Sequence, residues 1–209
     1  MQRVVIIDYG SGNLHSAAKA FERAARESEA NTEIIVSSAV SDLALADRVV
    51  LPGVGAYGDC KRGLDAVPGL LATLDDVVRK KARPFLGICV GMQLMSERGR
   101  EFEVTEGLGW IKGEVRAIEP NDKALKIPHM GWNTISNLQQ PLFADVNEHS
   151  SVYFVHGYYV ETSDESTAMC NYGIDFAAAF QHENFYAVQF HPEKSGAIGE
   201  RILENFLNL

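Results

Sequence analysis

The sequence is short of basic residues. Its 209 residues include 19 Lys and Arg against 28 Asp and Glu, so the formal net charge is −9 at pH 7. A surface that binds nucleic acid or an anionic membrane needs clustered Lys and Arg. The composition therefore argues against both of these partners and favours a small molecule or another protein.

Cysteines and long apolar runs are also scarce. The three cysteines, Cys60, Cys89 and Cys170, are an odd number at wide spacings, which argues against a disulfide framework and predicts a reducing, cytoplasmic setting. No apolar run approaches the roughly 18 residues of a membrane span, and the apolar stretch at residues 4–7 is too short for a signal peptide. We expect no membrane interaction.

Metal-ligand spacing and repeats are missing as well. The six histidines form no ligand-spaced pair with Cys or carboxylates, so we expect neither a metal nor a cofactor. Two of them, His129 and His156, lie in apolar, glycine-bordered segments and are interpreted as structural or interface residues. Without an internal repeat, low-complexity tract or linker, residues 1–209 are expected to form one domain.

The hydrophobic pattern predicts an α/β fold. Apolar runs at residues 3–7, 33–36, 48–51 and 84–88 are typical of buried strands, and helical spacing at 14–25 and 70–78 falls between them. This alternation predicts a mostly parallel sheet flanked by helices.

After about Gly99 the pattern becomes β-rich. Shorter strands are predicted at residues 110–111, 114–118 and 153–160, and a hairpin is predicted to join 176–181 with 185–190. A helix over residues 198–207 is expected to close the chain.

The segment around Cys89 carries the strongest chemical signal. An apolar strand runs into Gly87-x-Cys89-x-Gly91 and then into a helical pattern. This is the cysteine form of the nucleophile elbow, a sharp strand-to-helix turn that needs residues without Cβ two positions to each side of the nucleophile. A helix N-terminus favours the reactive thiolate, and the Val90 N–H would face an oxyanion. The alternative is a buried structural cysteine beside a tight turn.

A candidate base lies near the C-terminus. Pro192 disfavours helical geometry at His191 and pushes the segment toward an extended form, in which Glu193 shares a face with His191 and can bond one ring nitrogen. Alone, His191 would be interpreted as a surface histidine. Together with the elbow it supplies the base and the orienting group of a nucleophilic triad.

These two segments resemble a known family. The motifs at residues 87–93 and 190–195 are similar to those of the triad, or class I, glutamine amidotransferases, which hydrolyse the side-chain amide of glutamine. Further motifs resemble one branch of that family, the glutaminase subunits of imidazole glycerol phosphate synthases; they lie at residues 7–13, 52–56, 128–133 and 153–156. The likeness covers nearly the whole chain and implies a flavodoxin-like, mostly parallel α/β fold.

The resemblance implies a role for each member of the triad. Cys89 would attack the glutamine carbonyl, His191 would act as general base and acid, and Glu193 would orient the imidazole. The oxyanion would be held by the backbone N–H groups of Val90 and Val54.

The resemblance also implies the substrate contacts. L-Glutamine would be held by Gly53, Gly55, Gln93 and the backbone of Gly157 and Tyr158. Gly157 departs from the family pattern, in which a hydroxyl residue commonly follows Val-His. The change matters little if that position offers only backbone groups.

A protein partner is implied in the same way. The resemblance to the synthase branch implies that the ammonia passes to a (β/α)8-barrel cyclase, which would make imidazole glycerol phosphate and the aminoimidazole carboxamide ribotide during histidine biosynthesis. Asn13, Trp132, Tyr153 and Lys194 match positions at or near that interface. From sequence alone, a core aromatic is the better interpretation of Trp132, and a solvated charge is the better interpretation of Lys194. The family further suggests low activity until the partner binds its ligand, with the backbone of residues 52–55 turning to complete the oxyanion hole.

A dinucleotide-binding loop is the first alternative. Gly53, Gly55 and Gly58 fit Gly-x-Gly-x-x-Gly directly after a predicted strand. That fingerprint needs an acidic residue about 20 positions on at the end of the next strand, whereas Asp75 and Asp76 fall inside a helical pattern.

Three further interpretations of the function remain open. The triad motifs do not specify which amide bond is cleaved. A cysteine hydrolase of γ-glutamyl or peptide bonds is therefore one alternative, and the glutaminase subunit of another amidotransferase is a second. A binding subunit with an inactive triad is the third. Cys60 and Cys170 have neither an elbow nor a neighbouring base and are assigned to structure.

Overall fold

The computed structural model describes residues 1–27, 31–161 and 165–209. Thirteen strands lie within these ranges. They are β1 (Gln2–Ile7), β2 (Thr32–Ser37), β3 (Arg48–Gly53), β4 (Phe85–Cys89), β5 (Arg98–Gly99), β6 (Thr105–Glu106), β7 (Glu114–Ala117), β8 (His129–Thr134), β9 (Ser151–His156), β10 (Tyr158–Val160), β11 (Ser166–Asn171), β12 (Asp175–His182) and β13 (Phe185–Val188).

Six α-helices accompany these strands in the described residues. They are α1 (Leu14–Glu27), α2 (Val40–Ala44), α3 (Tyr57–Ala66), α4 (Leu70–Leu74), α5 (Val90–Leu94) and α6 (Gly196–Leu207). The helix predicted over residues 70–78 is present, but it widens from α4 into a π-helical turn at Asp75–Lys80. None of the helices in the described ranges has the length and apolarity to span a bilayer.

The central sheet has seven strands in the order β11-β12-β13-β4-β3-β1-β2. The five strands from β13 to β2 are mutually parallel, and β12 and β11 add an antiparallel edge. The predicted mostly parallel sheet and the β12–β13 hairpin are therefore confirmed.

Helices cover the sheet because packing their apolar faces against it buries the apolar side chains of both. β3 and β4 are buried at every residue, as expected for strands covered on both faces. The buried stripe of α1 includes Ala17 and Phe21, and Phe21 meets Phe206 of α6 edge to face with ring centroids 6.1 Å apart. This contact packs the first helix against the last.

The β-rich second half forms two smaller sheets. One has the order β10-β7-β5-β6, and the other is the antiparallel pair β8-β9. The single strand predicted over residues 153–160 is wrong, because the chain bends at Gly157 and its two halves join different sheets.

The strand predicted at residues 110–111 is also wrong. The backbone N–H groups of Trp110 and Ile111 both donate to the Met95 carbonyl, at 2.9 and 3.0 Å. They satisfy an acceptor at the end of α5 instead of pairing with a strand. The Trp110 ring packs against Phe85 and Phe185, with centroids 5.0 and 5.1 Å away.

The junction of β4 and α5 is packed too tightly for side chains. A Cβ on Gly91 would lie 1.8 Å from the Leu51 carbonyl oxygen of β3. A Cβ on Gly87 would lie 2.8 Å from the Gly91 carbonyl oxygen. Both glycines are therefore required for α5 to start directly above the sheet.

Gly91→Ala should destabilise the fold strongly. The new methyl group would collide with the Leu51 backbone, so we expect the free energy of unfolding to fall by about 3 kcal/mol. Urea titration followed by circular dichroism measures this change. Gly157→Ala is the control, because the nearest atom to its added Cβ is 3.7 Å away; equal losses in the two variants would contradict the packing argument.

Candidate active site

Three parallel strands end at the edge of the sheet where the candidate residues lie. β4 lies between β3 and β13, with Gly53 opposite Cys89 and Val188 opposite Ile88. The carboxyl ends of parallel strands meet at one edge, which is where α/β proteins bind ligands. Cys89 ends β4, and the chain reaches His191 three residues beyond the end of β13.

Cys89 adopts a backbone conformation that L-residues rarely take. Its φ is 55° and its ψ is −112°, at the start of α5, and the residue is 4% exposed. Such a conformation costs about 1–3 kcal/mol and persists only where its surroundings enforce it. Gly91 supplies that constraint through its contact with β3. The strand–turn–helix geometry predicted around Cys89 is confirmed.

His191 and Glu193 form a buried pair. His191 Nδ1 lies 2.8 Å from Glu193 Oε1, and the two side chains are 2% and 4% exposed. The backbone of His191 is extended, as expected before proline, with φ −101° and ψ 98°. Glu193, however, approaches the ring through a 3₁₀ turn at Pro192–Lys194 and not along an extended segment. The contact was predicted for the wrong reason.

The surroundings of His191 favour its protonated form. Burial alone would lower the pKa of the imidazole, but the electrostatic interactions with Cys89 and Glu193 outweigh burial and raise the pKa to about 10. Because Glu193 occupies Nδ1, Nε2 is the ring nitrogen left for the thiol. Nε2 is buried and has no hydrogen-bond partner among the described residues.

Backbone contacts fix the loop that carries His191. Its N–H donates to the Tyr153 carbonyl of β9 at 2.9 Å. The Ser195 hydroxyl donates to the His191 carbonyl at 2.6 Å and accepts from the Tyr153 N–H at 3.0 Å. Ser195 is 2% exposed, and sequence reasoning did not identify its role.

A cavity of about 300 Å³ opens in front of these groups. Most of the residues predicted from sequence line it. The lining consists of Val54, Gly55, Cys89, Val90, Gln93, Glu101, Pro128, Val155, His156, Gly157, Tyr158 and His191.

Gly53 is the predicted substrate residue that does not line this cavity. A Cβ on Gly53 would lie 2.7 Å from the Tyr9 hydroxyl and 3.0 Å from both the Gly91 nitrogen and the Val90 Cβ. Gly53 is thus needed for close packing behind the site. Its prediction as a substrate contact is not supported by this arrangement.

Glu101 is the main lining residue that sequence reasoning missed. Its Oε2 accepts a hydrogen bond of 2.7 Å from the Tyr57 N–H in the first turn of α3. No motif surrounds it, so the sequence offered no signal. The fold places a carboxylate in a cavity that also holds a thiol and an imidazole.

The loop after β3 holds Val54 in a way that sequence reasoning did not anticipate. The Val54 N–H, predicted to face the oxyanion, donates to Ser11 Oγ at 3.2 Å. The Ser11 hydroxyl donates to the Val54 carbonyl at 2.7 Å, and the Cys60 thiol donates to the same carbonyl at 3.3 Å. The prediction that Val54 offers its N–H to the site is therefore not met in this conformation. Val90 begins α5, so its N–H has no partner within the helix.

Two buried glutamines lie beneath the cavity. Gln93 Nε2 donates to the Tyr158 carbonyl at 3.0 Å and to Gln189 Oε1 at 3.1 Å. Gln189 Nε2 in turn lies 3.7 Å from Cys89 Sγ. Gln189 directly precedes the motif at residues 190–195, but its contact with the thiol was missed because it depends on two distant strand ends.

Three of the four predicted interface residues form one surface cluster. The Trp132 and Tyr153 rings meet edge to face at 5.9 Å, and Lys194 Nζ lies 5.8 Å from the Tyr153 ring centroid. Trp132 is 59% exposed, which excludes the core alternative. Asn13 lies at the end of the loop between β1 and α1, half-buried, and its carbonyl accepts from the Ala17 N–H.

The acidic residue that a dinucleotide loop requires does not end a strand. Asp75 and Asp76 lie in the π-helical turn, where they pair with Arg79 and Lys81. Gly58, the last glycine of that fingerprint, lies inside α3.

Comparison with known proteins identifies a family. The sequence profile of the class-I glutamine amidotransferases matches residues 5–209. The chain is 55% identical to the imidazole glycerol phosphate synthase subunit HisH of Brucella suis, with 98% of each chain covered. It is 54% identical to the HisH subunit of Mesorhizobium japonicum and 51% identical to that of Rhodospirillum rubrum, again with 98% of each chain covered.

Solved structures share the fold. A crystal structure of a glutamine amidotransferase superposes with a TM-score of 0.70 at 14% identity, covering 98% of this chain and 97% of the other. A glutamine amidotransferase from Thermotoga maritima gives a TM-score of 0.61 at 17% identity, with 99% and 83% covered. With a cysteine elbow and a buried His–Glu pair at the carboxyl edge of its sheet, and with full-length relatives of this identity, the chain belongs to the class-I glutamine amidotransferase family.

Proposed function

We propose that this chain is the single-domain glutaminase subunit of an imidazole glycerol phosphate synthase, with Cys89, His191 and Glu193 as its catalytic residues. The observation that carries the proposal is the buried His191–Glu193 pair, whose imidazole lines a cavity of about 300 Å³ together with the Cys89 thiol. Relatives that are 51–55% identical are named as subunits of imidazole glycerol phosphate synthase, which favours this synthase over other amidotransferases.

Cys89 forms the covalent intermediate. Its thiolate attacks the side-chain carbonyl carbon of glutamine, and a C–S bond forms as the carbonyl electrons move to oxygen. His191 holds the proton at Nε2 and delivers it to the amide nitrogen, so that ammonia leaves and a thioester remains. The Glu193 contact at Nδ1 supports this role, because it fixes the ring and stabilises its positive charge.

Water then completes the cycle. Neutral His191 takes a proton from water, the hydroxide attacks the thioester, and the C–S bond breaks to release glutamate and regenerate the thiolate. Each full cycle consumes one water and yields one ammonia. The free thiols of Cys60, Cys89 and Cys170 support a reducing, cytoplasmic setting for this chemistry.

The cavity lining supports recognition of an amino acid. The Glu101 carboxylate is suited to pair with the α-ammonium group of glutamine. Both N–H bonds of Gln93 are used within the protein, so its carbonyl oxygen is the group it can offer to the substrate amide. Gly55 and the backbone of Gly157 and Tyr158 complete the contact surface.

The oxyanion hole is assigned to the N–H groups of Val90 and Val54. Val90 supplies the first donor because it directly follows the nucleophile. The second requires the backbone of residues 52–55 to turn, which would break the Val54–Ser11 hydrogen bonds. Loss of one oxyanion donor costs about a hundredfold to a thousandfold in rate. We therefore assign low activity to the resting chain and higher activity to the complex with its partner.

The partner is assigned as a (β/α)8-barrel cyclase that consumes the ammonia. Ammonia released into neutral water is mostly protonated and cannot act as a nucleophile, so a sealed route between the two sites preserves it. The exposed cluster of Trp132, Tyr153 and Lys194 supports a docking surface near the site, since the Tyr153 carbonyl also accepts from the His191 N–H.

Cys89→Ser should abolish glutamine hydrolysis. Because the hydroxyl is a much weaker nucleophile than the thiolate, we expect the rate of ammonia release to fall by about a thousandfold or more. The measurement is ammonia and glutamate formation from glutamine by the complex with the cyclase. Cys170→Ala, at a buried cysteine of β11, is the control and should keep its activity.

Ammonium salt at high pH should restore the synthase reaction of the Cys89→Ser complex. The cyclase needs only free ammonia, so rescue separates the two half-reactions. Unchanged glutamine turnover in this variant would disprove the nucleophile, and absent rescue would disprove the transfer of ammonia. Release of amines from γ-glutamyl peptides, without ammonia from glutamine, would favour a γ-glutamyl hydrolase instead.

Glutamine hydrolysis should decline at high pH. His191 keeps the proton it gives to ammonia until the pH rises through its raised pKa of about 10. Glu193→Gln removes one cause of that rise, so the alkaline limb of the pH–rate profile should move to lower pH. The ring ¹⁵N shifts of His191 measured against pH provide the direct check. A profile that stays in place would exclude Glu193 as the orienting group.

Ser11→Ala should raise the glutaminase rate of the chain without its partner. The substitution removes the hydroxyl that accepts from the Val54 N–H and donates to the Val54 carbonyl, which frees the loop to turn. We expect an increase of about tenfold in ammonia release and a smaller ratio of activated to basal rate. The exposed Ser151→Ala is the control. A rate that is unchanged or lower than that of the unsubstituted chain would contradict the role of Ser11 in holding the loop.

A further inference from the structure

Two buried histidines join β8 to β9 beside the cavity and take no part in the proposed chemistry. His129 and His156 are opposite each other in the antiparallel register and are 2% and 6% exposed. Their rings are hydrogen-bonded, with His129 Nδ1 3.0 Å from His156 Nε2. The His129 ring is also stacked between Phe154 and Tyr172, with centroids 4.8 and 4.0 Å away.

The partners of the two rings determine the direction of these hydrogen bonds. His156 Nδ1 lies 2.8 Å from the Tyr158 carbonyl, which can only accept, so Nδ1 carries the hydrogen. Burial lowers the pKa of His156 to about 3 and that of His129 to about 4, so both rings are neutral near pH 7. His156 Nε2 is then an acceptor, and His129 Nδ1–H donates to it.

The same argument extends the chain outward. His129 Nε2 is an acceptor, and Asn133 Nδ2 lies 3.2 Å from it. The second hydrogen of that amide donates to the Asn171 carbonyl of β11 at 2.9 Å. Each N–H donor of Asn133, His129 and His156 therefore has one acceptor. This series of hydrogen bonds ends at the Tyr158 carbonyl.

A second series of hydrogen bonds reaches the Tyr158 carbonyl from the nucleophile side. Gln93 Nε2 donates to it at 3.0 Å and to Gln189, whose amide contacts the Cys89 sulfur. The Tyr158 carbonyl is thus held by two donors, one on an imidazole and one on a side chain of α5. Both donors are buried.

The position of this carbonyl bears on the site because the chain bends there. β9 ends at His156, β10 begins at Tyr158, and both Gly157 and Tyr158 line the cavity. His156 thus binds a carbonyl on the far side of the bend that it precedes. We propose that His156, supported by His129, is a positioning residue that sets the Gly157–Tyr158 backbone and the Gln93 amide for glutamine binding. This inference rests on the proposed glutaminase function.

Two substitutions of His156 distinguish a hydrogen-bonding role of this side chain from a packing role. His156→Phe keeps an aromatic ring but removes the donor, whereas His156→Asn is smaller but places an amide N–H near the position of Nδ1. In the complex with the cyclase, we expect His156→Phe to raise the KM for glutamine by about tenfold with little change in kcat. We expect His156→Asn to stay within about threefold of the unsubstituted KM. Val152→Ala, which alters packing on the same strand away from both histidines, is the control.

A packing role predicts the opposite order, because Asn leaves a larger void than Phe. A KM unchanged in His156→Phe, or raised more in His156→Asn than in His156→Phe, would overturn the proposal. An equal rise in KM in Val152→Ala would overturn it as well.

A spectroscopic readout does not depend on activity. Tyr158 and Tyr159 form the one Tyr-Tyr pair in the sequence, so labelling tyrosine with ¹³C at the carbonyl and ¹⁵N at the amide gives a single one-bond ¹³C–¹⁵N correlation, which reports the Tyr158 carbonyl. We expect this carbonyl signal to move upfield in His156→Phe and to return toward its original position in His156→Asn. An unmoved signal would refute the positioning role. If the unsubstituted complex failed to hydrolyse glutamine, the proposed function would fall, while this signal would still test the hydrogen bond.

Discussion

The contact between Gly91 and the Leu51 carbonyl is the constraint on which the site depends. It brings α5 so close to β3 that the chain can turn only through Cys89, whose φ is forced to 55°. The turn leaves the thiol at the carboxyl edge of the sheet and the Val90 N–H without a partner inside the helix that it begins. The strained backbone at Cys89 is tolerated because β3 and β4 are buried at every residue, and close-packed strands do not yield.

Around that fixed point, the site is assembled from three elements that are distant in sequence. β3 contributes the loop with Val54, β4 contributes Cys89, and the segment after β13 contributes His191 and Glu193. Parallel pairing aligns the three strand ends, so no long side chain has to reach across the site. The small β8–β9 sheet supports the far wall through the Tyr153 carbonyl, which accepts from the His191 N–H, and through His156, which donates to the Tyr158 carbonyl.

Two of the proposed catalytic groups are already in contact in this structure, whereas one proposed oxyanion donor is bound elsewhere. His191 and Glu193 are in contact, and charge from Cys89 and Glu193 outweighs the cost of burying the imidazole. The Val54 N–H is instead bound to Ser11. A chain that hydrolysed glutamine without an acceptor for the ammonia would waste nitrogen, and the proposed oxyanion hole, left incomplete while Val54 is bound to Ser11, would limit that loss.

Local patterns in the sequence determined the alternating strands and helices, the elbow glycines and the pairing of His191 with Glu193, because each depends on spacing within a few residues. The resemblance of the sequence motifs to a family indicated which substrate and which partner to expect. Tertiary structure alone decided which side chains meet across large separations: Glu101 in the cavity, Ser11 on Val54, Gln189 beside Cys89, and the bend that divides residues 153–160 between two sheets. Those contacts depend on how strand ends align, and no local pattern encodes that alignment.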